Sequence, residues 1–332
     1  MIVLENYILM QELLQGKPEP VQAAPVEEKP NVFTELLHHT QDSHEIDMQP
    51  LFTCPLPFIL VDDGSVYTYR SAESMNAEGR YTLKADQVVR MSDGQKPMLD
   101  LSITKHLVFL WLAALIVVLV LIAAAKKIRK SMVPSGMGNL FEIFVVFVRD
   151  EILIPTMGKA GLRYLPYLLT TFFFILCMNL LGLIPYGATA TSNVNVTAGL
   201  AIIAFIMIQV SALRSQGLKH YLAHLTGGVS PLLWPIMIPI EILSLFTKPF
   251  ALCIRLFANM TSGHVVIVSL IGLIFIFQSL LIAPGSIAFV VAIDLLELFI
   301  AFLQAYIFTM LTSVFMGLGI QTGHAEHEDV HA

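Results

Sequence analysis

Arg255 stands in the apolar run Phe250-Ala-Leu-Cys-Ile-Arg255-Leu-Phe-Ala-Asn259. Placing a guanidinium at membrane depth costs about 2.5–3.5 kcal/mol even on a lenient insertion scale. Arginine cannot relieve that cost by losing its proton, because its pKa stays above ~12. Two readings are open: a fixed charge beside an ion path, or a side chain that snorkels from a helix end to the headgroups. Its companions favour the ion path. Asn259 follows one turn later, His264 shares the same apolar segment, and Asp294, Glu297 and Gln304 lie on one stripe of the next. On the other side, Glu241 and Lys248 precede Arg255 at seven-residue steps.

The set divides into two chemistries. Arg255, with Asn259 and Gln304 as hydrogen-bonding neighbours, can attract and deprotonate a carboxylate on a partner and repel passing protons. His264 and Glu297 titrate, so in a wet cleft they can relay protons, and Glu241 can serve in the same way. A static buried hydrogen bond between two helices is the competing reading of the His264–Glu297 pair. Asp294 reads equally well as a solvated or structural carboxylate. Lys248 reads as an orienting or snorkelling cation rather than a conductor.

These residues must be held by membrane helices. Hydrophobic residues make up 56% of the 332-residue chain and charged residues 13%, far from a soluble balance. The spacing predicts spans at about 106–125, 164–184 and 196–213, a long tilted or broken helix over 231–282, and a last helix over 284–318. Lys126, Lys127, Arg129 and Lys130 follow the first span, which makes that end cytoplasmic and residues 1–105 extracytoplasmic. Five crossings then leave the polar tail, 321–332, in the cytoplasm, without structure of its own. Between Pro134 and Pro155, the segment from Leu140 to Glu151 reads as a helix along the membrane surface. The expected fold class is an all-α polytopic membrane protein with a small extracytoplasmic N-terminal region.

The fifty apolar residues from Pro231 to Ile282 exceed one crossing, so Pro235, Pro239 and Pro249 are the expected bends. A turn near residue 281, marked by Ala283-Pro284-Gly285, makes the last two helices antiparallel. That register sets Arg255 level with Gln304 and His264 level with Glu297, the two levels about 10–13 Å apart.

In the N-terminal region, Lys17 to Pro30 is a Pro/Glu-rich linker. Phe58-Ile-Leu-Val-Asp-Asp-Gly64-Ser-Val-Tyr-Thr-Tyr69 reads as two strands about an Asp-Gly turn. The start, Met1-Ile-Val-Leu-Glu5, lacks the basic region of a signal peptide. His38, His39 and His44 read as a hydrated surface cluster rather than a metal site. Cys54, Cys177 and Cys253 are too scattered for a disulfide framework or a metal motif. No metal, cofactor or nucleic-acid site is expected.

Lys248-Pro249-Phe-Ala-Leu-Cys-Ile-Arg255-Leu-Phe257-Ala-Asn259-Met260 resembles the K-P-x5-R-L-F-x-N-M signature of subunit a of the rotary F-type ATP synthases. Leu303-Gln304-Ala305-Tyr306-Ile-Phe308 resembles a second signature of that family, and Asn193-Val-Asn195-Val-Thr197 a third. The resemblance covers roughly residues 106–320. It implies a non-catalytic stator subunit in which Arg255 faces the carboxylates of the rotating c-ring, with Asn259 and Gln304 beside it. Two offset half-channels would lead protons to and from the ring, with a role for Glu241 and minor roles for Lys248, Asp294, Asn193 and Asn195. Implied partners are the c-ring, the subunit b peripheral stalk, the remaining synthase subunits and the lipid of a bacterial inner membrane. Many bacterial relatives carry Glu where this chain has His264 and His where it has Glu297, so the pair persists with its order reversed. The N-terminal extension is a departure and draws no function from the resemblance. The coupling ion, H⁺ or Na⁺, is not readable from these residues.

Two other classes call for features that this sequence does not carry. A stand-alone secondary transporter calls for inverted repeats with broken helices in both halves, whereas the polar residues here concentrate in the C-terminal third. A membrane enzyme calls for a nucleophile or a metal cluster, and no H-E-x-x-H or similar motif occurs.

Overall fold

The computed structural model describes residues 43–48, 52–84, 87–130, 137–184, 189–218, 221, 233–277 and 283–329. The chain start, the Pro/Glu-rich linker, His38, His39 and the turn near residue 281 lie outside the described residues.

The N-terminal part is a small β-module. Strands β1 (Glu45–Met48) and β2 (Phe52–Pro55) pair antiparallel, as do β3 (Phe58–Asp62) and β4 (Ser65–Tyr69). The β3–β4 turn needs positive φ at Asp63 and Gly64, which aspartate tolerates and glycine adopts freely. Helix α1 (Ala72–Glu78) starts at a Ser71–Ser74 capping box and ends on left-handed Gly79. A second hairpin, β5 (Tyr81–Lys84) with β6 (Gln87–Arg90), and the short β7 (Leu99–Asp100) on the free edge of β3 complete the module.

Alternation in β3 buries Phe58, Leu60 and Asp62 together. The first two join Tyr69, Met75, Tyr81 and Val88 in a core. Buried Asp62 is satisfied by Tyr81 Oη, which donates at 2.7 Å, and by Arg90, whose Nε donates at 2.5 Å and whose Nη2 reaches the other oxygen. The Arg90 and Tyr81 donors hold the Asp62 carboxyl well below the usual carboxylate range, and Asp62 raises Arg90 in return. Backbone bonds from Leu101 to Ile59, Ile103 to Pro57 and Lys105 to Ser43 run the module directly into the first membrane helix.

Among the described residues, five helices are long and apolar enough to cross a membrane. They lie within α2 (Lys105–Lys130), α5 (Leu165–Gly182, preceded by a 3-10 turn Lys159–Tyr164), α6 (Val194–Gln216), α7 (Trp234–Phe277) and α8 (Ala283–Asp329). Between α2 and α5 run α3 (Met137–Phe147), a π-helical turn (Val148–Leu153) and the single turn α4 (Ile154–Met157). Phe144 and Phe147 of α3 pack at tilted angles against Phe172 and Phe302, so one face of this segment turns into the bundle while Leu140 and Ile143 stay exposed. The core is built around α8, which packs on α5, α6 and α7.

Of the two expected forms of the long helix the unbroken one is found, and the polar tail differs from expectation. The 44-residue α7, about 66 Å long, passes through Pro239 and Pro249 without ending. Each proline deletes one N–H, but the apolar run on both sides keeps the remaining ladder continuous. Helix α8 likewise runs on to Asp329 through the polar tail expected to lack structure, where Gln321, Ala325, Glu326 and Glu328 are good helix formers.

Candidate functional site

The α7–α8 hairpin carries the polar constellation on two adjoining faces of α7, one exposed and one turned to α8. On the outer face of α7, Ala251, Ile254, Arg255, Ala258 and Ser262 are exposed, while Leu252, Cys253, Leu256 and Met260 turn inward. Arg255 makes no hydrogen bond or ion pair with the described residues. It is thus a fixed charge presented outward from the hairpin, flanked by small side chains.

The inner face joins the two helices. Asn259 Nδ2 donates to Gln304 Oε1 at 2.8 Å, and Gln304 is buried. His264 Nε2 lies 3.9 Å from Glu297 Oε1. The pairing of His264 with Glu297 follows the sequence register, whereas Gln304 bonds Asn259 rather than Arg255. The cause is position on α7: Asn259, one turn on and about 40° further round, is half-buried against α8, whereas Arg255 lies at the exposed edge of that contact. Glu297 is 2% exposed, and neither of its carboxyl oxygens has a hydrogen-bond partner among the described residues. A buried carboxylate without hydrogen-bond partners costs several kcal/mol in order-of-magnitude terms.

Close helix approach makes this geometry. A Cβ on Gly263 would lie 2.9 Å from the Glu297 carboxyl carbon. The turn Ala190–Ser192 then closes the site from the other side: the Thr189 hydroxyl meets His264 Nε2. Thr191 Oγ1 donates to Asn179 Oδ1 at 2.9 Å, and Asn179 Nδ2 donates to the Ala301 carbonyl at 3.2 Å. This buried network ties the turn, α5 and α8 together.

The remaining candidates disperse. Asn193 caps α6, its side chain accepting from the Asn195 N–H at 2.9 Å, so these two shape the helix start. Lys248 lies over the Phe315 ring, 5.2 Å from its centre. Glu241 is half-buried on the Trp234 side of Arg255, and Asp294 is exposed on α8 within electrostatic reach of His264. Gly263, Asn179, Thr189 and Thr191 were not singled out from sequence. Asn179 alone carried a signal, as an amide in the apolar second span.

The family model described as ATP synthase A chain matches residues 107–317. The chain belongs to the ATP synthase subunit a family. ATP synthase subunit a of Chloroherpeton thalassium is 45% identical over 296 residues, 88% of this chain and 78% of that protein. The Myxococcus xanthus subunit a is 51% identical over 254 residues, covering 76% and 82%. That of Pelodictyon phaeoclathratiforme is 54% identical over 234 residues, covering 69% of each. Membership of the subunit a family does not favour a stand-alone transporter. The match to the family model also begins at residue 107, immediately after the β-module.

Proposed function

We propose that this chain is the proton-translocating stator subunit of an F-type ATP synthase membrane sector, with Arg255 as the charge that meets the rotor. Nucleotide chemistry belongs to other subunits, and this one supplies the ion path. Arg255 faces the ring carboxylates and holds each one ionised as it passes, which releases its proton on one side and forces it to be reloaded on the other. Because arginine does not titrate, it cannot itself carry a proton across and short-circuit the two half-channels. His264 and Glu297 form the relay on one side of Arg255, and Glu241 serves the other. Asn259 and Gln304 lock the hairpin at the arginine's level. The partners are the c-ring and the peripheral stalk in a bacterial inner membrane, with the N-terminus outside and the C-terminus in the cytoplasm.

The observation that carries this reading is the outward-facing Arg255 on a stripe of small residues, backed by the buried, unpartnered Glu297. Small side chains let a neighbouring helix approach closely, and only 17% of the spanning window of α7 is covered by the rest of the chain.

Cysteine cross-linking in the assembled complex tests it. In a background without native cysteines, Ile254→Cys and Ala258→Cys should form disulfides with a cysteine placed beside the ring carboxylate. Leu252→Cys and Leu256→Cys, which point inward, should not. Equal cross-linking from both sets, or from neither, overturns the assignment.

A further inference from the structure

The relay described above begins at His264, but the structure continues beyond it toward the extracytoplasmic end of α2. His106 is 3% exposed, and its Nε2 lies 3.3 Å from Ser192 Oγ. Ser192 uses its own hydrogen to donate to the Thr189 carbonyl at 2.8 Å. Its lone pairs are therefore what His106 meets, and the imidazole donates from Nε2. Three residues back in the same turn, the Thr189 hydroxyl contacts His264 Nε2, and His264 stands 3.9 Å from Glu297. Two imidazoles thus each meet a hydroxyl of one short turn, and the two hydroxyl-bearing residues are joined through the Thr189 carbonyl.

We infer that His106 is the proton-uptake station at the outer end of this path, passing protons through Ser192 and Thr189 to His264 and Glu297. The inference rests on the Arg255–Glu297 reading above. A proton arriving from the outer side reaches the buried His106 ring, and the Nε2 proton leaves to Ser192 Oγ. The original Ser192 hydrogen, which points at the Thr189 carbonyl, turns from it and passes through one water to the Thr189 hydroxyl. The Thr189 hydrogen is then taken by His264 Nε2, and a turn of the imidazole brings that same Nε2–H to Glu297, 3.9 Å away. Each group ends with as many protons as it began, and Glu297 gains one.

The placement agrees on three counts. Cations Lys126, Lys127, Arg129 and Lys130 mark the opposite end of α2 as cytoplasmic, so His106 lies outside. The Lys105 N–H bonds the Ser43 carbonyl at 2.9 Å, which joins this end of α2 to the β-module. Along α7, His264 is nine residues, about 13 Å, nearer the outer side than Arg255. The titratable groups that share this site electrostatically are Lys105 beside His106 on α2, and Asp294 on α8 with His106 and Lys105 around His264 on α7.

The test uses the complete synthase in liposomes, driven by a potassium diffusion potential, with outer pH varied from 5.5 to 8.5. Wild-type flux should depend on outer pH across this range. His106→Gln, which keeps a donor but cannot titrate, should lower flux about tenfold and flatten that dependence. His106→Asp, which restores a titratable group, should recover part of the flux and its dependence on outer pH. A purely structural tie would let the Gln variant match wild type in rate and profile, and that result overturns the inference. If His106 variants fail to assemble, Ser192→Ala decides instead: a similar loss of flux in an intact complex supports the path, and unchanged flux and profile overturn it. Glu297→Gln and Arg255→Ala run alongside. If these keep wild-type flux, the underlying site reading fails; if they lose it while every His106 variant is normal, only the uptake station fails.

Discussion

Glu297 sets burial against bonding: it is 2% exposed, yet neither oxygen is hydrogen-bonded within the described residues. A group in that position carries protons in this account, so Glu297→Gln should keep the shape and remove the titration. Proton-driven ATP synthesis in reconstituted complex should fall by at least about tenfold, with unchanged amounts of assembled synthase. Wild-type synthesis would remove Glu297 from the path. Gly263→Ala is a subtler probe of the same carboxyl. Its new Cβ would press on the end of a flexible side chain rather than on backbone, so the helices should stay packed while Glu297 is displaced. Flux should drop severalfold with thermal stability of the complex unchanged. A variant that unfolds instead would show that the close approach serves packing alone. The His264–Glu297 pair was legible in sequence, because a hairpin about residue 281 sets the two level. The bond from Gln304 to Asn259 was not, since rotation about α7 depends on which side chains α8 offers.

At the scale of elements, composition and apolar length revealed the five helices, but not the continuity of α7. Prolines at 239 and 249 argue for breaks, and only the uninterrupted packing of neighbouring turns overrules them. The turn Ala190–Ser192 was equally opaque: its role arises from Thr189, Thr191 and Ser192 meeting residues 75, 12 and 86 positions away. Close approaches of α8 to its neighbours also depend on single glycines. Gly317 faces the Thr156 backbone carbonyl, and Gly319 faces Ala212. Because backbone cannot swing aside, Gly317→Ala should cost about 1–3 kcal/mol through overpacking. The expected result is a lower thermal midpoint for the detergent-solubilised complex, and an unchanged midpoint would show that α8 shifts without cost.

For the whole molecule, the subunit a bundle and the β-module meet at Lys105, and the module owes its stability to a different chemistry. Its hairpin at Asp63-Gly64 was legible from local turn residues, whereas the Asp62–Tyr81–Arg90 cluster required the fold to bring three strands together. Asp62 titrates below its unfolded value, so its contribution is fully present above the ordinary carboxylate range near ~4 and is lost as pH falls through the folded value. Asp62→Asn should therefore make the module more sensitive to proteolysis at pH 7, and still more sensitive but by a smaller margin at pH 3, where the unfolded carboxyl is largely protonated and the folded one stays ionised. An equal or larger difference at pH 3 would contradict that linkage. The account as a whole turns on Arg255 as a non-titrating charge between two proton paths. Its most direct test is ATP synthesis by complete, correctly assembled synthase carrying Arg255→Ala or Arg255→Lys in proton-driven liposomes. Both variants should lose essentially all coupled synthesis, and coupled synthesis at the wild-type rate in either would contradict the account.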